Sequence, residues 1–213
     1  MARSLVVTSE PDVEPISTAE AKDHLRVTGT AQDSLIDAHV KAARTACETF
    51  TRRALITQGL RYGLDAFPRP HEGRLWEGVR DGADVARVER FVELPRPPLQ
   101  SVTSVVTYDD NDSATTFAAS NTFTDTSSDP GRVILRTGAT WPSALRVGRA
   151  IEIAYTAGYG DYGSDVPQAL VQGMYLMIAH FFENREAVMA GAAAAMLPEG
   201  VAELWRPYRV LTL

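Results

Sequence analysis

A glycine-rich segment between a predicted strand and a predicted helix has the spacing of a dinucleotide-binding loop. Residues 158–163 read GYGDYG, and glycines at this spacing let the backbone approach a pyrophosphate at the start of a helix. That chemistry also needs a second parallel strand that ends in an acidic residue for the ribose, and no strand follows the helix predicted over residues 166–186. The pattern therefore favours a glycine-rich connection, and we expect no cofactor.

Two other groupings contain residue types that bind metal ions. Residues 109–113 read DDNDS, as at the start of a calcium loop, but position six is Ala114 rather than glycine and position twelve is Ser120 rather than glutamate. His180 and Glu183 lie three apart on a predicted helix, without a second pair of similar spacing. We expect a solvated hairpin turn at residues 109–112, a hydrogen-bonded His180 and no metal.

No local pattern of nucleophilic catalysis is visible. His24, His39 and His71 stand on separate predicted elements, and neither a nucleophile elbow nor a local Cys-His pattern is present. The sole cysteine, Cys47, cannot form an internal disulfide, which indicates a reducing compartment. The chain is therefore not expected to be an enzyme. The alternative from that class is a small nucleotide-binding enzyme that uses residues 158–163.

The composition is that of an ordinary globular protein. The 213 residues are 45% hydrophobic and 23% charged, so the chain can bury a sizeable core. A formal net charge of -6 argues against a free-standing nucleic-acid binder, since such proteins gain affinity from cationic side chains. We expect no signal peptide and no membrane span.

Helical patterns occupy both ends of the chain. Ser17 and Glu20 form a capping box before a short helix, and Asp33 is the predicted N-cap of a long amphipathic helix that runs to Thr51. Residues 166–186 predict a mostly buried helix with Pro167 in its first turn, and a last short helix stops at Pro207. The predicted helical core consists of Leu35, Ile36, Val40, Cys47, Phe50, Leu170, Met174, Met177, Ile178 and Phe181.

Between these helices the hydrophobic pattern loses its helical spacing, and short apolar segments are separated by turn residues. Strands are predicted at residues 54–64, 90–94, 102–108, 115–119, 132–135 and 149–155, with a long loop at 68–88. The fold class is therefore α+β, a four-helix-type bundle built from N- and C-terminal helices with an inserted β-rich lobe. The expected domains are an N-terminal arm (1–15), the helical bundle (16–53 and 164–206), the β-rich insert (54–163) and a C-terminal docking tail (207–213).

Six segments in this order resemble the head-tail connector (adaptor) family of long-tailed bacteriophages and phage-derived gene transfer agents. They cover nearly the whole chain. The segments are ISTAEAKDHLRV at 16–27, the helix at 33–51 with the RRALITQ that follows it, LPRPPLQSVTSVVTYDD at 94–110, IEIAYTAGYG at 151–160, VPQAL with AHFFENRE on the helix at 166–186, and LPEGVAELWRPYRV at 197–210. The turn at Asp109 lacks the expected glycine, and the loop at 68–88 has no counterpart.

The resemblance implies a structural protein of a particle neck. It implies a ring of twelve copies beneath the portal protein, which joins the DNA-filled capsid to the tail and leaves a channel that DNA crosses without specific binding. The implied location is the neck of a virion or gene transfer agent particle, assembled in the cytoplasm of a bacterial host. The long loops of the β-rich lobe make it the candidate for contact with a tail-side stopper or similar neck protein, or for stiffening the ring. No membrane is involved.

The C-terminal segment is the predicted portal contact, because its residue types dominate interface energetics and a terminal segment can reach a partner. The alternative is that Trp205 and Tyr208 pack back on Phe181 and close the bundle. The alternative function is another neck ring, a stopper or tail terminator, which would be mainly β and lack long paired helices. The predicted portal-binding residues are Trp205, Arg206, Tyr208, Arg209, Val210, Leu211 and Leu213.

Overall fold

The computed structural model describes residues 3–68, 90–184 and 198–211. The fold is α+β, with four α-helices and two antiparallel sheets in those residues. Most of the predicted 68–88 loop lies outside the described ranges. The chain divides into a β-rich unit (Met1–Glu10 and Gly59–Ala157) and a helical unit (Pro11–Gln58 and Gly158–Leu213). No described helix has the length and apolar character that crossing a membrane requires.

The helical unit contains α1 (Thr18–Leu25), α2 (Asp33–Thr51), α3 (Gln168–Glu183) and α4 (Glu199–Trp205). The predicted capping box is confirmed. The Ser17 hydroxyl accepts the Glu20 N–H at 3.3 Å, and the Ser17 N–H donates to the Glu20 carboxylate at 2.8 Å. These two bonds satisfy backbone donors that α1 would otherwise leave unpaired.

Two helix starts differ from the prediction by one residue. The N-cap of α2 is Gln32, not Asp33; Asp33 is the first helical residue, and its carboxylate accepts a hydrogen bond from Lys22 at 2.7 Å. An acidic side chain there still interacts favourably with the helix dipole. Pro167 is likewise the N-cap of α3 rather than part of its first turn, because the preceding residues Gly163–Asp165 form a separate 3-10 turn.

The helices pack around one hydrophobic core. Seven of the ten predicted core residues are buried, and Phe50 and Phe181 are partly buried against them. Leu35 is half-buried and lies outside this core, because the neighbouring Ile36 takes the inward-facing position on α2. The seven buried residues are Ile36, Val40, Cys47, Leu170, Met174, Met177 and Ile178.

The described residues of the β-rich unit form eight strands, of which β2 begins at the last residue of the helical unit. The five-stranded sheet has the order β1-β2-β8-β4-β5, and the three-stranded sheet has the order β3-β7-β6. The strands are β1 (Arg3–Ser9), β2 (Gln58–Leu64), β3 (Phe91–Glu93), β4 (Leu99–Tyr108), β5 (Ala114–Thr116), β6 (Thr122–Asp125), β7 (Arg132–Leu135) and β8 (Ile151–Ala157). Buried Tyr155 of β8 donates its hydroxyl to the Pro95 carbonyl at 2.6 Å.

The main differences from the sequence prediction concern four strands. Residues expected as an arm contain β1, which pairs antiparallel with β2 and is held by that partner. Strand β6 is not predicted, and the strand predicted at 115–119 ends at Thr116. The strand predicted from Ala54 begins at Gln58, because Leu55 and Ile56 instead contact the segment after β8, where the Tyr159 N–H donates to the Leu55 carbonyl at 3.0 Å.

Candidate functional site

The C-terminal segment, residues 206–211, is anchored by the tryptophan that precedes it. Trp205 is fully buried, and its indole N–H donates to the Leu170 carbonyl at 3.1 Å. Its ring centroid lies 6.0 Å from that of Phe50. A Cβ at Gly173 would lie 2.2 Å from the indole nitrogen, so the glycine opens a slot for the ring. The structure places Trp205 in the helical core, not on the surface that a partner would meet.

The residues after Trp205 lie along the end of α2. The Val210 N–H donates to the Thr51 carbonyl at 2.9 Å, which satisfies one of the carbonyls that a helix C-terminus leaves unpaired. The Arg53 side chain donates to the Tyr208 carbonyl, and the Arg209 guanidinium lies 5.6 Å from the Phe50 ring centroid. The C-terminal segment is thus ordered on its own unit before any partner binds.

The exposed side of the C-terminal segment carries two cations and a large apolar group. Arg206 and Arg209 are exposed, and Leu211 is 78% exposed. Tyr208 and Val210 are half-buried. Arg206 forms a surface ion pair with Glu203 at 2.8 Å, while Leu213 lies outside the described residues. Arginine and an exposed aliphatic side chain on a supported segment are a surface suited to binding protein, not to catalysis.

A buried polar network lies inside the helical unit and was not predicted. Glu48, 3% exposed, accepts the Leu55 N–H at 3.0 Å and the Gln58 amide at 2.9 Å. Arg44 lies 3.4 Å from Glu48 and donates to Glu14 at 2.8 Å. The available sequence signal is an Arg44–Glu48 pair at i,i+4 on the apolar face of α2. Since its polar atoms bind one another, the network fixes the chain reversal after α2.

Burial in this core also affects the single thiol. Cys47 is fully buried, and desolvation, followed by the nearby Glu48 carboxylate, raises the pKa of the Cys47 thiol well above its ordinary range. A thiol held protonated and inaccessible is a poor nucleophile. Cys47 therefore serves packing in the helical core.

The glycines of residues 158–163 are required by close packing. Gly158 has φ +141°, and a Cβ there would lie 2.5 Å from the Ile56 backbone. A Cβ at Gly160 would meet the Asp165 side chain at 2.2 Å, and one at Gly163 would meet the Pro15 carbonyl at 2.3 Å. Each glycine thus has a steric reason within the helical unit, and α3 begins only at Gln168. The arrangement agrees with a glycine-rich connection.

The two metal-like groupings are explained by local hydrogen bonds. One Asp109 carboxylate oxygen accepts the N–H groups of Asn111 and Ser113, both at 2.9 Å, and this closes the predicted turn between β4 and β5. The His180 ring lies 3.2 Å from the Asn184 amide. Within the described residues, no group of three histidine, cysteine or acidic side chains is arranged to hold a metal ion.

A cleft of about 320 Å³ opens between the segment before α1 and the middle of α2. Its floor is apolar, with Ile16 and Val40 buried. Its two carboxylates are already engaged, since Asp37 accepts a hydrogen bond from Thr18 and Glu14 binds Arg44. The cleft offers neither a nucleophile with a base nor a free buried polar group, so it has no feature of an active site.

Comparison with solved structures shows which proteins share this architecture. A chain in the neck of an empty gene transfer agent (GTA) particle, computed with C6 symmetry, superposes with a TM-score of 0.75 and 28% identity, covering 99% of this chain and 97% of that chain. A chain in the virion of a native GTA particle matches with a TM-score of 0.72 and 28% identity over 98% of this chain and 96% of that one.

A third match is a chain in the neck of a native GTA particle computed with C12 symmetry, with a TM-score of 0.70 and 27% identity over 100% of this chain and 97% of that chain. No protein-family model matches the sequence, and no curated protein does. All three neighbours are parts of gene transfer agent particles. The similarities span the whole fold and support a structural role in the neck of a phage-like particle.

Proposed function

We propose that this chain is a head-tail connector (adaptor) that forms a dodecameric ring under the portal protein. The ring joins the DNA-filled capsid to the tail and leaves a central channel for DNA. The observation that carries this proposal is the end-to-end similarity to neck chains, one of them in a neck with C12 symmetry. The long paired helices α2 and α3 favour a connector over a mainly β stopper or tail terminator.

The helical unit provides the frame of each copy. Its four helices act as a four-helix-type bundle formed by both ends of the chain, with the β-rich residues as an insert. A cyclic ring needs two different surfaces on each copy, since the face of one copy meets another face of the next. The protein therefore uses separate surfaces for its own neighbours and for the portal.

The C-terminal segment is the proposed portal contact. Hydrogen bonds to Thr51 and from Arg53 hold its backbone on α2, so little conformational entropy is lost when the exposed side chains bind. Arg206, Arg209 and Leu211 form its contact surface, with Tyr208 and Val210 at its edge. Trp205 contributes indirectly, because its burial fixes where the segment leaves the helical unit.

The charge of the chain fits a passage for DNA. At a net charge of -6, a ring of these copies repels phosphates overall, so DNA can slide without being held by cationic contacts. The loops of the β-rich insert are the proposed contact with a tail-side stopper or similar protein, since loops carry much of protein binding.

A single exposed substitution tests the portal contact. Leu211→Asp places a charge on the C-terminal segment at a side chain that is 78% exposed, so folding should be unchanged while binding to purified portal protein falls at least tenfold. Val147→Asp is the matched control, because Val147 is fully exposed in the β-rich unit and should bind portal normally. Normal portal binding by Leu211→Asp, with an unchanged melting temperature, would contradict this contact.

A further inference from the structure

The five-stranded sheet has two edges that the described residues leave uncovered. Its order places β1 at one edge and β5 at the other, and no strand in the described ranges pairs with the outer side of either. An edge strand presents a row of backbone donors and acceptors that can pair with another chain. Both edges are therefore potential contacts for a partner.

Strand β1 lacks the usual protection of an edge. Between Arg3 and Glu10 its residues carry no charge and no proline, the devices that normally prevent edge-to-edge pairing. Leu5 is 36% exposed and Val6 is 49% exposed. The irregularity in the ladder with β2 lies at Val7 and Ser9, so most of the strand is regular and available.

Strand β5, at the other edge of the sheet, is shorter than β1 and lacks charged residues. Ala114–Thr116 is uncharged and exposed, and it follows the acidic turn at residues 109–112. Asp110 is exposed, and the Asp112 side chain is 78% exposed while paired with Arg146 at 2.8 Å. An incoming strand beside β5 would therefore meet negative charge at the beginning of β5.

Charge and strand direction select one arrangement. If β1 lies parallel to β5, its first residue, Arg3, comes beside the acidic turn; in the antiparallel arrangement Glu10 would come there and be repelled. In an antiparallel five-stranded sheet the two outer strands point the same way. If two copies are related by rotation about an axis that runs along the strands, the strands of both copies keep the same direction. Strand β1 of one copy then lies parallel to β5 of the next.

We propose that β1 of one copy adds to the β5 edge of the next copy, in parallel, with Arg3 against the acidic turn at residues 109–112. This interface is heterologous, as a cyclic assembly requires, and it continues the sheet from copy to copy. The inference rests on the proposed ring and identifies the surfaces that join its members. Because β5 has only three residues, each junction is small.

Disulfide trapping in whole particles tests this interface. Ser4→Cys with Ser113→Cys places one thiol near the start of β1 and the other just before β5. The native Cys47 is buried, so it adds little background. Mild oxidation of particles that carry the double variant should give a ladder of covalent multimers. Ser4→Cys with Ser127→Cys, an exposed residue between β6 and β7, is the matched control and should give none.

A charge reversal supplies a second readout that does not depend on cysteine chemistry. Arg3→Glu should reduce the yield of tailed particles several-fold, and Asp110→Arg in the same chain should restore it, because the pair is then reversed rather than broken. The edge pairing is wrong if imaging finds the chain in the neck ring but trapping gives no multimers above control and the charge reversal does not restore the yield of tailed particles. That result would leave the proposed ring unaffected. If the chain is absent from the neck, the proposed function fails with it.

Discussion

The helical unit has a well-packed core, whereas the β-rich unit, in its described residues, has sheet edges without a partner strand. In the helical unit, Trp205 fills a slot at Gly173 and Glu48 satisfies the backbone of the chain reversal. In the β-rich unit, Val6 at one edge of the five-stranded sheet and Phe123 in edge strand β6 are about half exposed, at 49% and 51%. A unit with a completed core can be stable alone, while open edges are compatible with a unit that is completed by neighbours.

This difference separates stability from assembly. Substitutions in the buried core of the helical unit should act mainly on the free energy of unfolding, because they remove packing or leave polar groups unpaired. Substitutions at the open edges of the β-rich unit should leave folding intact and change assembly. Variants in the two units therefore test whether stability and assembly depend on different parts of the protein.

The largest effect is expected for Trp205→Ala. The change empties a fully buried site and removes the hydrogen bond to the Leu170 carbonyl. The free energy of unfolding should therefore fall by about 3–5 kcal/mol. Chemical denaturation followed by circular dichroism measures this loss. Leu211→Ala, at an exposed position, is the control and should change stability by less than about 0.5 kcal/mol. A loss below 1 kcal/mol for Trp205→Ala would mean that the tryptophan does not close the unit.

An intermediate effect is expected for Gly173→Ala, with Gly200→Ala as its matched helical control. At Gly173 the new methyl group would meet the Trp205 ring at 2.2 Å, so overpacking should destabilise by about 1–3 kcal/mol despite the better helix propensity of alanine. At Gly200 nothing lies within 4 Å of the new methyl group, so the same change should be neutral or stabilise by up to about 1 kcal/mol. Equal effects at the two sites, measured by thermal unfolding, would contradict close packing of the Trp205 ring against Gly173.

The smallest effect is expected in the β-rich unit at low pH. Hydrogen bonds from Ser128 and Arg132 lower the pKa of Asp125 to about 2. Because the folded-state pKa lies below the unfolded one, the carboxylate stabilises the fold at neutral pH, and this contribution is lost as the pH falls from about 4 to about 2. The melting temperature of the unchanged protein should exceed that of Asp125→Asn slightly at pH 7. The difference should shrink as the pH falls below about 4 and be small at about pH 2, and a difference as large there as at pH 7 would assign it to something other than this charge.

The sequence predicted the helical unit better than the β-rich unit for a physical reason. Helix α2 ends at Thr51 as predicted and begins within one residue of the predicted start, because helix patterns and stop signals are local. Strand β1 was expected as an arm, since its short apolar run is ordered only by pairing with β2, more than fifty residues away in sequence. The slot at Gly173 and the role of Trp205 also depend on contacts that join distant segments.

The candidate site was predicted only in part. The segment after Trp205 is predicted to bind the portal, and this stays a prediction; its backbone lies on α2. The sequence could not decide between surface and core for Trp205, because an aromatic side chain of this kind suits either. Its burial follows from a missing Cβ at a position thirty-two residues earlier in the chain, which no local pattern reveals.

The most direct test of the central claim is electron microscopy of particles produced by cells that lack this protein. A structural role in the neck predicts filled heads and separate tails that are not joined, with joining restored by the full chain supplied from a plasmid. Intact tailed particles formed without the protein, at the normal yield, would contradict a structural role in the neck.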